Sequence, residues 1–267
     1  MGPLSSGTLP WRPMSRLRPT PAACYIHPKA THLVDREGDH DADLEVSGES
    51  LPNYLSWVAE LCRPYLGHRV LEVGAGIGAI TARYEEGREI VANDVSPTCV
   101  AALRKRFADR PNVRVEDRDL RTLELDERFD SVLMVNVLEH IADDAGTLHE
   151  LSGLLVPGGN VVVYVPALNG LYGARDERIG HYRRYSVWRL REVFREAGLE
   201  PVELHWCNFL AIPAWATFGR SDVEDPERSG KLLSLWDRAA VPAARFLEAH
   251  VRPPIGLNVL GVGRRLA

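Results

Sequence analysis

"VLEVGAGIG", residues 70–78, decides how this chain is read. The run from Arg69 to Val73 is apolar and β-branched, as a strand buried on both faces requires. Three glycines follow at alternate positions, Gly74, Gly76 and Gly78. Gly74 and Gly76 let the backbone approach a ligand closely, and Gly78 lets a following helix, expected through about Tyr84, pack on the strand. Several nucleotide-binding folds share such a strand–turn–helix unit, so neighbouring residues must discriminate among them.

The next strand, "EIVAND" (89–94), ends in Asp94, where a carboxylate can bridge the two hydroxyls of a ribose. A third, "NVRVED" (112–117), is followed by Asp119, placed to accept from an exocyclic adenine amine; Asp117 is a rival for that role. Glu72 lies inside the first strand, and a buried carboxylate needs a partner. A dinucleotide pyrophosphate would be repelled there, whereas a cationic ligand would not. The turn also reads GxGxG rather than the GxGxxG of the dinucleotide fingerprint. Both details favour S-adenosylmethionine, whose amino group and sulfonium are cationic.

The rest of the chain continues the alternation. Strands are expected at "FDSVLMVN" (129–136), "NVVVYVP" (160–166), "PVELHWC" (201–207) and "GLNVLGVG" (256–263). A helix over Pro52–Tyr65 has Ser50 or Asn53 as cap; a second opens at Ser96-Pro97. A third runs from about Asp143 to Leu155, with Asp143 and Asp144 as its cap and Gly158-Gly159 closing it. A fourth, Val187–Ala197, is capped by Ser186 and ended by Gly198. This order predicts an α/β fold with a doubly wound, mostly parallel sheet. Residues 1–48 read as a partly mobile arm and 49–267 as one domain. An insertion at about 208–255 acts as a helical lid. Its apolar stripe is Leu232, Leu235, Trp236, Ala239, Ala243, Phe246 and Leu247, and Pro242 should kink or split it.

"VLEVGAGIG", "NDVS", "FDSVLMVNVLEHIAD" and "LLVPGGNVVVYVPA", in this order, resemble the successive motifs of class I S-adenosylmethionine-dependent methyltransferases. The downstream "GHYRRYS" and the closing "RPPIGLNVLGVGRR" resemble a bacterial small-molecule branch. The resemblance covers about residues 50–267 and implies a Rossmann-like, seven-stranded sheet of order 3-2-1-4-5-7-6 with strand 7 antiparallel. It implies that Glu72, Gly74, Ala75 and Gly76 line the methionine part and that Asp94 holds the ribose. Val95 would flank the adenine, Asp119 and Leu120 would meet its edge and face, and Asn136 would touch the methionine part. Tyr54 and Trp57 lie on the helix that covers the cofactor in this fold; Trp57 reads as core and Tyr54 as a cofactor contact. His140, just past strand 4, falls beside the expected methyl group as a general base, or else braces the loop.

"GHYRRYS" (180–186) joins strand 5 to a helix, at the carboxyl edge where open α/β sheets bind ligands. His181 is a candidate proton acceptor. Tyr182, Arg183, Arg184 and Tyr185 are candidate acceptor-binding residues, the arginines for a carboxylate or phosphate. The plainer alternative is that one arginine pairs with Asp176 or Glu177 and pins the loop.

Methyl transfer is an in-line displacement at carbon, so alignment and desolvation dominate. The loop after strand 4, Asn136-Val137-Leu138-Glu139, lacks the (N/D)PP(Y/F) signature of amino-directed nucleic-acid methyltransferases, and Pro-Cys is absent. With a net charge of −5, nucleic acid is not the expected partner. Cys24, Cys62, Cys99 and Cys207 are scattered and read as free thiols in a reducing cytoplasm. No Cys/His spacing suggests a metal, so a metal-independent reaction is expected. Apolar runs are too short to span a membrane, the start lacks a signal-peptide core, and Pro3 argues against myristoylation.

The expected reaction is transfer to an oxygen or nitrogen of a small molecule, leaving S-adenosylhomocysteine, by a monomer or homodimer. The alternative acceptor is a lipid or polyprenyl-linked sugar, with residues 231–250 resting on a membrane; the mixed charges of their polar face disfavour it. A nicotinamide oxidoreductase or a non-catalytic cofactor-binding protein are weaker readings.

Overall fold

The computed structural model describes residues 51–119, 127–218 and 233–266. The arm expected over 1–48, Leu120, and residues 219–232 of the insertion, Leu232 included, lie outside the described residues.

The apolar runs form one seven-stranded sheet in the order β3-β2-β1-β4-β5-β7-β6. The strands are β1 (Arg69–Val73), β2 (Glu89–Asn93), β3 (Val113–Glu116), β4 (Phe129–Val135), β5 (Leu155–Pro166), β6 (Leu199–Cys207) and β7 (Asn258–Arg265). Pairing is parallel across β3, β2, β1, β4 and β5, while β7 is antiparallel to both β5 and β6. This is the sheet implied by the family resemblance.

Side chains alternate between two cores. Leu71, Val132, Met134, Val161 and Val163 face helices α3 (Asp144–Ser152) and α5 (Val187–Glu196), meeting Leu148, Leu151, Leu190, Val193 and Phe194. Val70, Ile90, Leu133, Val162 and Tyr164 face α1 (Pro52–Cys62) and α2 (Pro97–Arg106), meeting Val58, Cys62 and Leu103. Burying each such side chain contributes about 1.5–3 kcal/mol. Trp57 is buried, as expected, against Val241 and Ala244.

Caps follow local chemistry where the sequence supplies it. The Ser96 hydroxyl accepts from Cys99 N, Asp143 from Gly146 N and Ser186 from Arg189 N. At α1 the cap is remote instead. The N-cap is Leu51, which makes no side-chain cap, and Asn53 lies inside the helix; Ser50 lies outside the described residues. The carboxylate of Asp237 accepts from Asn53 N at 3.2 Å and Tyr54 N at 2.9 Å. Exposed amides at a helix start need an acceptor, and here the tertiary fold brings one.

Three further expectations are revised. The segment after the glycine turn forms only a 3₁₀ turn, Thr81–Arg83, not a helix through Tyr84. Gly74, Gly76 and Gly78 all have positive φ, which interrupts any right-handed helical run before Ala79. Helix α3 ends at Ser152 with Gly153 as cap, and Gly158-Gly159 lie inside β5. In the insertion, helix α6 (Ile212–Phe218) comes first, and a π-helical turn (Trp236–Ala240) precedes α7 (Val241–Glu248). Pro242 has no amide to donate, and a wide turn ahead of it absorbs the loss. The wider turn rotates the stripe. Asp237, Val241 and Ala244 face inward, while Leu235, Phe246 and Leu247 are exposed.

The insertion is tied down at its return. The Glu248 carboxylate accepts from Asn208 N and Phe209 N, just past β6. Gly256 then passes so close to β6 that an added Cβ would lie 2.2 Å from the Cys207 carbonyl oxygen. Gly256→Ala should therefore lower unfolding free energy by at least about 1–3 kcal/mol in urea titrations. Gly170→Ala, where a Cβ meets nothing within 4 Å, should leave it near the wild-type value.

Candidate active site

The carboxyl ends of β1, β2 and β4 bring the expected cofactor residues to one edge. Glu72 is buried, and its Oε2 accepts from the Thr81 and Tyr84 hydroxyls, each at 2.7 Å. Burial pushes its carboxyl up to about 7, and those two hydrogen bonds offset part of the rise. Ala75 N donates to Asn93 O at 2.9 Å, which fixes the turn against β2. Asp94 completes that tie: Oδ2 accepts from Gly76 N at 2.8 Å and Oδ1 from Ser96 N at 3.0 Å.

The glycines differ in what surrounds them. A Cβ on Gly76 would meet nothing within 4 Å, so this backbone borders open space. One on Gly74 would strike Val137, and one on Gly78 would strike Phe107 and Leu103. Gly78 thus permits packing against α2 and its end, not of a helix on β1. Val95 is 65% exposed. Asp117 pairs with Arg104 at 2.8 Å, whereas Asp119 is half-buried. Asn136 is exposed with φ 54°, and its amide donates to Tyr164 O. The Tyr54 hydroxyl turns inward to Tyr164 at 3.3 Å, its ring lies against Trp236, and burial pushes its phenol up to about 12.

The second half of the site joins two loops. Past β4 comes the 3₁₀ turn Leu138–His140, and past β5 comes the short helix α4 (Ala174–Arg178) with "GHYRRYS" behind it. Tyr182 N donates to Glu139 O at 2.8 Å, and the Tyr185 hydroxyl reaches Leu138 O at 3.2 Å. These contacts lay His181 against the turn, its ring 4.6 Å from that of His140 and nearly perpendicular to it. His181 Nδ1 lies 2.8 Å from Asp176 Oδ1. Asp176 is itself buried. Burial pushes its carboxyl up, but the His181 and Arg184 hydrogen bonds outweigh that and hold it below its ordinary value. As an anion it accepts the Nδ1 proton, which leaves the lone pair of neutral His181 on Nε2.

The arginines and Tyr185 take internal partners. Arg184 is buried: Nε donates to Asp176 at 2.9 Å, NH1 to Ala167 O, and the guanidinium lies over Trp215. Arg183 donates to Asp144 Oδ2 at 2.7 Å and Ala142 O at 2.6 Å. Tyr185 is fully buried, with its hydroxyl 3.0 Å from Asp144. The structure thus places Arg184 and Tyr185 inside the wall of the site rather than on its face. The Arg184–Asp176 pair is the loop-pinning alternative. Tyr182 is half-buried beneath the Arg183 guanidinium.

Glu139 was missing from the candidates. It is fully buried, and neither carboxylate oxygen has a hydrogen-bond partner. Burial pushes its carboxyl up to about 8; its own amide and the Arg184 charge offset part of this, and Asp176 adds to it. Adjacent to His140, it was visible as a Glu-His pair after an apolar strand. Only the fold adds His181, and one ligand atom from each of Glu139, His140 and His181 lies within 4.8 Å of the others.

Open α/β sheets of this kind take their ligands at the carboxyl edge, where these residues and the ionisable cluster lie. The methyltransferase-domain family matches residues 71–161. A ubiquinone biosynthesis O-methyltransferase of Rhodopseudomonas palustris (strain TIE-1) is 34% identical over 100 residues, 36% of this chain and 39% of the relative. One of Albidiferax ferrireducens is 28% identical over 136 residues, 49% of this chain and 54% of the relative. The chain thus spans roughly two-fifths to just over half of these relatives' length. A Burkholderia thailandensis 1,6-didemethyltoxoflavin N1-methyltransferase, solved with 1,6-didemethyltoxoflavin and S-adenosylhomocysteine, shares the fold. Its TM-score is 0.57 and its identity 21%, over 90% of this chain and 89% of that one. The SpnF cyclase shares it too, with TM-score 0.54, 19% identity and coverage of 79% and 82%. The family match within the chain, the sequence relatives and the shared fold thus support the resemblance to class I S-adenosylmethionine-dependent methyltransferases.

Glu139 gives the fold a pH signature. Unfolded, its carboxyl ionises near 4.5; folded, it holds its proton to about 8. Between those values the folded state binds more protons, so stability falls as pH rises, by up to about 1.4 kcal/mol per unit. Glu72 adds to the lower part of the same slope. In chelator-treated protein, Glu139→Gln should flatten the fall between pH 5 and 8, measured by urea unfolding at each pH; parallel slopes would contradict this assignment.

Proposed function

We propose that this protein transfers a methyl group from S-adenosylmethionine to a hydroxyl oxygen of a small molecule. The observation that carries the reading is the meeting, on one sheet edge, of the Gly76–Asp94 turn with the Glu139–His140–His181 cluster. The curated relatives, named as O-methyltransferases, support oxygen over nitrogen.

When bound, S-adenosylmethionine supplies a methyl group on a sulfonium, already a good leaving group, and departs as S-adenosylhomocysteine. The chain's residues do the rest. Asp94 accepts from the ribose hydroxyls, and exposed Val95 covers one face of the adenine. Asp119 takes the adenine edge, which the pairing of Asp117 with Arg104 supports. Glu72 and the open backbone at Gly74-Ala75-Gly76 receive the cationic methionine end, with Asn136 alongside. A nearby ammonium favours the ionised form of Glu72, whose carboxyl burial and, to a lesser extent, the Asp94 charge lift. His140 and His181 face the acceptor as candidate catalytic residues; its hydroxyl proton leaves at their cluster as oxygen attacks the methyl carbon. Tyr182 and Arg183, partly accessible, border that space.

A second reading, an acceptor presented at a lipid surface, draws on one observation. Leu235, Phe246, Leu247, Val251 and Ile255 are all exposed on the insertion. No helix among the described residues is long and apolar enough to cross a membrane. Co-sedimentation with anionic liposomes that is lost in Phe246→Asp/Leu247→Asp would support it; no co-sedimentation of wild type would remove it.

Charge-assisted hydrogen bonds contribute about 1.5–3 kcal/mol. Asp94→Ala should therefore weaken S-adenosylhomocysteine binding by about 10-fold or more in calorimetry. Labelled-methyl transfer to a panel of phenols, but not to matched amines, is the expected activity. Absence of S-adenosylhomocysteine binding by wild type would overturn the reading.

A further inference from the structure

We propose that Glu139, His140 and His181 form a binding site for one divalent transition-metal ion, whose free coordination positions take the acceptor hydroxyl. The site stands on geometry alone; its role in the reaction rests on the methyltransferase reading above.

The donor set is two imidazoles and one carboxylate, which suits zinc, manganese or iron better than magnesium or calcium. Its ligand atoms already converge. Glu139 Oε1 lies 3.9 Å from His181 Nε2, and all three residues offer an atom within 4.8 Å of the others. Donors around a common ion at about 2.0–2.2 Å lie about 3–4 Å apart, so small side-chain rotations complete the set.

Three independent features point the same way. First, Glu139 is fully buried and neither of its oxygens has a hydrogen-bond partner, although a buried carboxylate demands compensation. A cation among these three residues provides it. Second, Asp176 holds His181 by Nδ1, which turns Nε2 toward Glu139. A carboxylate behind a ligating histidine fixes its tautomer and raises its basicity. Third, the histidines arrive on separate loops clamped by the Tyr182 N–Glu139 O and Tyr185–Leu138 O contacts. Arg184 compensates Asp176 from the far side, so Asp176 stays an outer partner and does not compete for the ion.

The charge balance suits an oxygen acceptor. A divalent ion with one carboxylate and two neutral imidazoles carries net positive charge. A hydroxyl oxygen that coordinates it loses its proton to solvent more readily than free in water. The resulting oxyanion forms the new O–CH₃ bond while the C–S electron pair returns to sulfur. His140 and His181 then act as ligands and not as proton acceptors. This replaces the expectation of a metal-independent reaction, which rested on sequence spacing.

The full chain, stripped with EDTA and dialysed, is titrated with zinc and with manganese chloride by calorimetry. Cobalt is added in parallel to read its d–d absorption. One site per chain is expected. His140→Ala, His181→Ala and Glu139→Gln should each weaken binding at least about 10-fold, and Asp176→Asn by about 10–100-fold. His205→Ala, on β6 beside Glu203, should not change it. S-adenosylhomocysteine binding, measured on every variant, reports that the cofactor half is folded. Its loss in wild type defeats the methyltransferase reading without touching the metal site. No saturable cation binding by wild type, or binding undiminished in the ligand variants, overturns the proposal.

Discussion

A buried carboxylate must find donors, and this constraint organises the loops of the molecule. Asp176 gathers His181, Arg184 and Gly173 N. Asp144 gathers Arg183 and Tyr185, and Asp237 gathers the first amides of α1. Asp144 and Asp237 reach into segments distant in the chain, whereas Asp176 folds its own loop back on itself. The sheet supplies a hydrophobic platform, but these anions decide which loop lies over which. Removing one partner would strand a charge in the interior, so the loops are held more rigidly than their apolar contacts alone would allow.

Glu139 stands apart because it has the same burial and no donor. A group that departs from the rule its neighbours obey is a candidate functional site. Its position explains the contrast. The carbonyl of Glu139 is held by Tyr182 and that of Leu138 by Tyr185, so the turn cannot swing its carboxylate to solvent. The loop that creates the site also traps its acid.

The strands were legible because burial on both faces imposes continuous apolar runs; β1 is found at its expected limits. Asp94 was legible because its place at the end of β2 depends only on strand length. The helix after the glycines was not, since three alternate glycines with positive φ make a turn that periodicity cannot anticipate. The insertion's stripe failed at Trp236–Ala240, where a π turn changes the period on which the pattern depends. "GHYRRYS" read as a pocket wall by composition, yet Arg184 and Tyr185 face inward: Arg184 takes Asp176, the loop-pinning alternative, and Tyr185 meets Asp144 from a distant segment.

By itself the sequence determined the succession of strands along the chain, the glycine turn, the local caps at Ser96, Asp143 and Ser186, and the place of Asp94 at the end of β2. These depend on interactions within a few residues or on one hydrophobic period. Tertiary structure alone decided that Asp237 caps α1, that Asp144 holds Arg183 and Tyr185, and that Glu139, His140 and His181 meet. Those outcomes depend on charges brought together across the fold, and the partner of a buried charge is chosen by three-dimensional proximity, which no local pattern encodes.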